Sequence, residues 1–516
     1  MRQEKLLAAH AVRSSDKAAL VIGDQRVTYG ELAESAQAMA AGLHRLGVKA
    51  GDRVLVYLPN GVEFVQTIYA AFAVGAIVVP VNTRLTAREL AYFAQDSEPS
   101  LMVVHSDHLE ALQEVKDVIG GIRKIVVGDA VPGTLAFCDV AQPTDEALPE
   151  VPLDAEDCMI MYTSGTTGKP KGAVITHANF IVQHAFLNAI EWGITRDDFF
   201  LVTTPLAHRT GLARMMNALS LGATLVIMDR FDPVAAIGLI EKHGVTAAGM
   251  VPTVARMLMP HMEENPARCA SLQHLIVTGE AFPVDAKRKL IELLPNVRLH
   301  SFFAMTEVGS VSSLEHEEQF THPSSVGRPT PGVEVKLVDE HGNEVSVGDA
   351  GEMLVRSGPP GRFTTMRGYY KRPEETAKTI VNGWVHTGDM ARFDADGYLY
   401  IVDRKKDMVL SGGFNIYTKE VEQALLEHPA VQDAAVVGVP DEIFGEAVVA
   451  FIETRPGAVI DKATVAEHTK SRIASYKKPK HVFFVESLPR NALGKILKNE
   501  LRDLAAGKVK AEAAAA

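Results

Sequence analysis

The 516 residues are 47% apolar, and their 40 glycines and 26 prolines follow no repeating period, which excludes a collagen-like or disordered chain and predicts two or more domains. A formal net charge of −12 excludes nucleic-acid binding by bulk counterion release and points toward small-molecule chemistry, while a local basic patch for phosphate stays open. Three scattered cysteines, Cys138, Cys158 and Cys269, lack zinc spacing, suit a reducing compartment and are expected to be small buried hydrophobes.

The opening MRQEKLLAAHAVRSSDKAALV has no signal-peptide core, and the apolar runs are interrupted before membrane-span length, so a cytoplasmic protein is expected. Peripheral membrane contact and homo-oligomerisation stay open. TYGEL at 28–32 opens a helical pattern through Leu32, Ala36, Ala40 and Leu43, with Gly47 and Gly51 beyond its end. RVLVYL at 53–58 reads as a strand, 61–74 as a helix, and AIVVPV at 76–81 as an apolar run. LMVVH at 101–105 and KIVVGD at 124–129 are further strands, and the alternation favours α/β layers. Residues 130–155 read as a surface connection, after which CMIMY at 158–162 leads into the most informative loop. TLVIM at 224–228, AAGMVP at 247–252 and HLIVTG at 274–279 continue the strand–helix units.

From about 326 the texture changes to short strands between glycine-rich turns: VEVKLVD, GEMLVR and GYLYIVD. The predicted fold is α/β: a large N-terminal domain with α/β layers and a β-rich subdomain over 1–405, and a smaller mobile α/β domain over 406–516. The small domain carries the helical pattern KEVEQALLEH at 419–428 and the strands DAAVVGV at 433–439 and AVVAFIE at 447–453. The final KVKAEAAAA needs no fixed tertiary role.

The run YTSGTTGKPKG spans Tyr162–Gly172. Gly165 and Gly168 allow backbone amides to turn toward phosphate oxygens, Ser164, Thr166 and Thr167 bring hydroxyl donors, and Lys171 brings charge. A glycine-serine surface turn is the plain alternative. The run lacks the Walker A interval and its Lys-Ser or Lys-Thr ending, and it lacks dinucleotide-fingerprint spacing.

With FFAMTE at 302–307, WVHTGD at 384–389, IVDRKKD at 401–407 and PRNALGK at 489–495, this run resembles the ordered motifs of the adenylate-forming superfamily, within it the acyl-CoA synthetases. The resemblance covers nearly the whole chain. It implies an acid–thiol ligase: ATP and Mg2+ convert a carboxylic acid to an acyl-AMP, and coenzyme A then takes the acyl group. Lys495 is the implied catalyst, aligning the carboxylate with the α-phosphate. Thr163 through Gly168 and Lys171 are implied in phosphate binding, with Thr306 at the phosphoryl group and Glu307 as magnesium ligand. Phe303, with Gly279, Glu280 and Ala281 of TGEA, is implied around adenine. Asp389 and Arg404 are implied at the ribose, and Lys406 as the hinge about which the small domain rotates between half-reactions. Gly412 and Gly413 are implied along the pantetheine channel, and Phe444, Tyr476 and Lys478 near the coenzyme A nucleotide. Ala304 departs from the glycine common in the family's motif.

His208 resembles the histidine beside the acyl site, where Gly249, Met250, Val251 and Gly279 are further lining candidates. Their apolar character favours a hydrophobic monocarboxylate, with medium- or long-chain fatty acids ahead of aromatic acids. Arg209 and Arg214 complicate that reading, because they could face away, bind coenzyme A or recognise a second carboxylate. The alternatives are therefore an aryl or dicarboxylic acid ligase, a free-standing adenylation domain that acylates a carrier protein, and a non-catalytic nucleotide sensor. A luciferase-like oxidation has no specific support.

Overall fold

A computed structural model describes residues 1–152, 154–163, 170–278, 282–412, 414–490 and 496–515. The chain packs into two units, Met1–Val335 with Val355–His386, and Lys336–Leu354 with Thr387–Ala516.

In the first unit, reciprocal caps start the helices. The Glu31 amide donates to the Thr28 hydroxyl at 3.2 Å, and the Thr28 amide donates to the Glu31 carboxylate at 2.8 Å, which fixes the start of Tyr29–Arg45. Thr86 and Glu89 do the same for Ala87–Ser97. Asp232 caps Pro233–His243, whose first-turn proline is already in helical φ.

Two sheets organise this unit. In spatial order, the first runs Arg328–Pro329, Gly309–Leu314, Arg298–Met305, His274–Val277, Ala247–Met250, Phe199–Val202, Thr224–Ile227, Ala18–Ile22, Gln25–Thr28. Its interior, from Ala18–Ile22 to Arg298–Met305, is parallel. The second runs Gly368–Tyr369, Lys171–Thr176, Asp157–Thr163, Ile77–Pro80, Arg53–Tyr57, Leu101–His105, Arg123–Val127, Leu135–Ala136. One core lies between their facing surfaces, built from Leu20, Val56, Val103, Phe200 and Ile276 with Met39, Phe64, Phe72 and Leu219 from helices. Each such buried side chain contributes roughly 1.5–3 kcal/mol by leaving water. Alternate residues of the first sheet, including Leu201, Val226, Ala248, Met250 and Leu275, form a second core on its other face. Both faces are covered, which is why these strands read as continuous apolar runs.

The chain passes between the units within the short strands Glu334–Val338, Gly351–Arg356 and Trp384–Phe393, the β-rich stretch expected from the glycine-punctuated texture. In the second unit the sheet order is Phe414–Ile416, Val409–Ser411, Gly445–Thr454, Val431–Asp441, with His481–Val485 parallel to Gly445–Thr454. Thr418–Leu426 and Lys462–Arg472 pack on one face through Val421, Leu425 and Val465. On the other face Leu501 and Ala505 meet Ala435, Val437 and Phe451.

Up to Ala515 the C-terminal run continues the helix Lys498–Ala515, whose Leu501 and Ala505 are buried upstream of it. One local expectation is corrected. Cys138 is exposed on a four-residue helix, whereas Cys158 and Cys269 are buried as expected. Among the described residues no helix is long and apolar enough to cross a membrane.

Candidate active site

The strands Asp157–Thr163 and Lys171–Thr176 pair antiparallel, with Thr163 opposite Lys171. They hold the two ends of the glycine-rich loop; Ser164, Gly165, Thr166, Thr167 and Gly168 themselves lie outside the described residues. Tyr92 donates its hydroxyl to the Pro170 carbonyl at 2.7 Å, pinning the returning end.

Glu307 stands beside Thr163, where the described strand ends, two residues past Arg298–Met305. Its Oε1 accepts from the Tyr369 hydroxyl at 2.9 Å and the Thr163 hydroxyl at 3.4 Å, while its carbonyl accepts from the Met366 amide at 2.8 Å. Burial, and then the Glu307 charge, push the Tyr369 hydroxyl well above its ordinary range, so it remains a donor. Lys171 lies 5.0 Å from the Tyr369 ring centroid and 3.1 Å from a Glu375 carboxylate oxygen. Sequence reasoning missed Tyr369 and Glu375. Their only signal is the local run GYYKRPEE, which is far along the chain from the groups it holds.

Thr306 and Phe303 are partly buried near Glu307 in sequence, and the strand is irregular between Phe303 and Ala304. Ala304 is exposed, so its methyl group occupies no buried space. Gly279, Glu280 and Ala281 lie outside the described residues; just ahead of them, the Thr278 hydroxyl donates to the Phe302 carbonyl at 3.3 Å.

His208 caps Arg209–Leu221, accepting weakly from the Thr210 amide at 3.4 Å. Burial and then Arg209 lower its pKa, which favours the neutral ring. The preceding π-helical segment Ile181–Leu187 turns Gln183 toward the Ser310 amide, 2.6 Å away, and places His184 where Arg209 donates to its Nε2 at 3.3 Å. Arg214 crosses the bare face of Gly249, where an added Cβ would come within 2.3 Å of the arginine Cδ. Its guanidinium lies 5.1 Å from the Trp192 ring centroid and 5.7 Å from that of Phe302. Strand alternation separates the lining candidates: Gly249 faces Arg214, whereas Met250 is spent in the second core, with Val251 packed against it.

In the second unit, Asp389 is buried and ion-paired with Arg404 at 2.8 Å across adjoining strands. The Thr387 hydroxyl accepts from the Asp389 amide at 3.1 Å and donates to the Met353 carbonyl at 2.7 Å, fixing the turn around Gly388. Asp403 accepts from the amide and hydroxyl of Thr418, and the Lys498 ammonium donates to that hydroxyl at 2.8 Å. Gly412 has a positive φ of 59° and donates to the Phe444 carbonyl at 2.8 Å, so these two candidates meet; Gly413 lies outside the described residues. Tyr476 instead pairs with Phe414, ring centroids 4.7 Å apart, and Lys478 is partly exposed two residues away. Lys406 lines a cleft with Asp407 and Arg502. Lys495 lies outside the described residues.

The AMP-binding enzyme family model matches residues 7–370, and the AMP-binding enzyme C-terminal domain model matches 420–495. The chain belongs to the AMP-binding enzyme family.

It is similar to a feruloyl-CoA synthase of an Amycolatopsis species, 35% identical with 93% of this chain and 94% of that protein covered. A long-chain-fatty-acid–CoA ligase of Bacillus subtilis is 31% identical, covering 96% and 93%. A 2-succinylbenzoate–CoA ligase of Bacillus cereus is 32% identical, covering 96% and 98%. Among solved structures, the o-succinylbenzoate-CoA synthetase MenE of Bacillus subtilis with its acyl-adenylate aligns at a TM-score of 0.84 with 29% identity, covering 97% and 98%. ATP-bound MatB from Rhodopseudomonas palustris aligns at 0.86 with 29% identity, covering 98% and 99%.

This AMP-binding enzyme is an AMP-forming acid–thiol ligase, using ATP and Mg2+ with coenzyme A as acyl acceptor. Its own residues fit that cofactor set. Among the described residues no group of three His, Cys, Asp or Glu forms a protein-only metal cage. One carboxylate, Glu307, oriented by the Thr163 and Tyr369 hydroxyls, fits Mg2+, which is commonly held by one or two carboxylates, water and substrate phosphates. Bound there, the ion would neutralise charge on the polyphosphate as pyrophosphate departs.

Proposed function

We propose that this ligase activates an aryl or dicarboxylic acid. The observation that carries the proposal is the Arg214 guanidinium set against Trp192 and Phe302. An aliphatic chain gains little from a buried cation, whereas an aromatic ring or a second carboxylate can use that wall. Feruloyl-CoA synthase, 2-succinylbenzoate–CoA ligase, MenE and MatB among the similar proteins support this reading. The fatty-acid reading is supported by the long-chain-fatty-acid–CoA ligases of Bacillus subtilis and Salmonella typhimurium and by the fatty acyl-CoA synthetase of Mycobacterium tuberculosis.

In the reaction, Thr163, Lys171 and the loop between them bind the triphosphate, and Glu307 holds the magnesium ion. Thr306 contacts the phosphoryl group, and Phe303 packs on adenine beside Gly279, Glu280 and Ala281. Asp389 binds the ribose hydroxyls with Arg404 alongside. Lys495 aligns the acid with the α-phosphate, so orientation and charge neutralisation lower the barrier without a protein nucleophile. Rotation at Lys406 then exchanges Lys495 for the thiol, which follows Gly412 and Gly413 while Phe444, Tyr476 and Lys478 receive the nucleotide of coenzyme A. His208 borders the acyl group.

The test is a panel of ferulate, 2-succinylbenzoate, adipate and hexadecanoate with ATP, Mg2+ and coenzyme A, read as AMP and acyl-CoA. Turnover of an aromatic acid or diacid at least tenfold above hexadecanoate is expected. Preference for hexadecanoate would reinstate the fatty-acid reading. AMP without a coenzyme A thioester would point to a carrier-protein acceptor.

A further inference from the structure

Arg214 is 1% exposed, and its Nε, Nη1 and Nη2 have no hydrogen-bond partner among the described residues. A desolvated guanidinium without an acceptor is costly, and two aromatic faces compensate only part of the lost hydration. Nearby cations do not help. Arg209 lowers the Arg214 pKa further after burial, which together bring it to about 9. Arg209 itself is accounted for: it donates to His184 and stacks 5.5 Å from the Phe180 ring centroid. Among the described residues, Arg214 is therefore a buried cation held in place without a counterion.

Its position matters as much as its isolation. Arg214 lies over Gly249, near the carboxyl end of a parallel strand, and beside Phe302, next to Phe303 on the strand two places away in the same sheet. Open parallel sheets bind ligands beyond these carboxyl ends. Glycine at 249 is required, because any side chain there would displace the arginine stem. A strand glycine and two aromatic side chains thus seat one guanidinium at the substrate end of the sheet.

We propose that Arg214 is the receptor for a second carboxylate, carried by the acyl substrate away from the carboxylate that becomes adenylated. The proposal rests on the ligase reading and narrows its substrate to diacids. The guanidinium fork suits a bidentate carboxylate, which a lysine would meet only as a point charge. No bond is made or broken at Arg214; it is a specificity residue.

The test compares matched acids, adipate with hexanoate and terephthalate with benzoate, by kcat/KM for pyrophosphate release with ATP, Mg2+ and coenzyme A. The wild-type chain should favour the diacid of at least one pair. Arg214→Met should lower the diacid-to-monoacid ratio at least about tenfold, the size expected for one charge-assisted hydrogen-bonded contact. Arg214→Lys should retain part of that ratio. Since both acids of a pair are measured on one protein preparation, the ratio is insensitive to loss of folded enzyme, and Arg214→Gln gives a polar replacement should the methionine variant fail to accumulate. A monoacid preference in both pairs, or a ratio unchanged by the substitutions, overturns the receptor while leaving the ligase reading intact. Absence of acid-dependent pyrophosphate release across the panel overturns the ligase reading and the receptor together.

Discussion

Glu307 is held in one orientation by two hydroxyls, so Tyr369 would act as a positioning residue for the magnesium ligand we propose. Tyr369→Phe removes one neutral-to-charged hydrogen bond and should weaken adenylation about 5- to 30-fold, with a higher Mg2+ requirement. Glu307→Gln removes the charge itself and should cost more than about 100-fold. Magnesium titrations of pyrophosphate release check both, and an unchanged Mg2+ requirement in Tyr369→Phe would mean that the hydroxyl merely packs. The family motifs made Glu307 legible because its neighbours in sequence are diagnostic. Tyr369 and Glu375 were not legible, because their roles arise from a strand pairing between 173–174 and 368–369 that no local pattern encodes. Arg214 was ambiguous for a related reason. A helical arginine reads as solvated until the bare face of Gly249 and the Trp192 ring are placed around it.

At the level of elements, strands and helices of the first unit follow the apolar periodicities closely, since sheets covered on both faces leave continuous runs. The π-helical segment Ile181–Leu187 was not legible, because Gln183 accepts from the amide of Ser310, a partner far along the chain that no local pattern encodes. A pH-dependent weak point lies at the short helix His316–Glu318. Its capping carboxylate, Glu315, is pushed up to about 7 by burial first and then by Glu191 and Glu318. The unfolded carboxyl titrates near its ordinary value of about 4.3. Between these values the folded state binds more protons, so stability falls as pH rises through the window and stays reduced above it. Glu315→Gln keeps an acceptor for the cap. It should therefore raise stability at pH 8 by on the order of 1–2 kcal/mol after solvent screening, with little effect at pH 4. Denaturant unfolding at the two pH values measures this; a gain of equal size at both would remove titration as its cause.

Across the whole molecule, the two-unit organisation and the order of motifs were legible in the sequence, and the family match spans both units. The acyl pocket we propose was less legible, because Arg214, Trp192, Gly249 and Phe302 converge from separate strands and helices. Our account assigns Lys406 as the pivot between half-reactions, so Lys406→Pro should impair their alternation, slowing overall acyl-CoA formation more than acyl-AMP formation. Equal rates to wild type in both steps would rule that pivot out. The central claim is that this chain activates a carboxylic acid as its adenylate, with Lys495 serving that step. Acid-dependent exchange of labelled pyrophosphate into ATP, measured beside thioester formation from preformed acyl-AMP, tests it most directly. The account predicts exchange in the wild type, its strong loss in Lys495→Ala, and a much smaller loss in thioester formation; exchange that needs no acid, or equal loss of both steps, would contradict it.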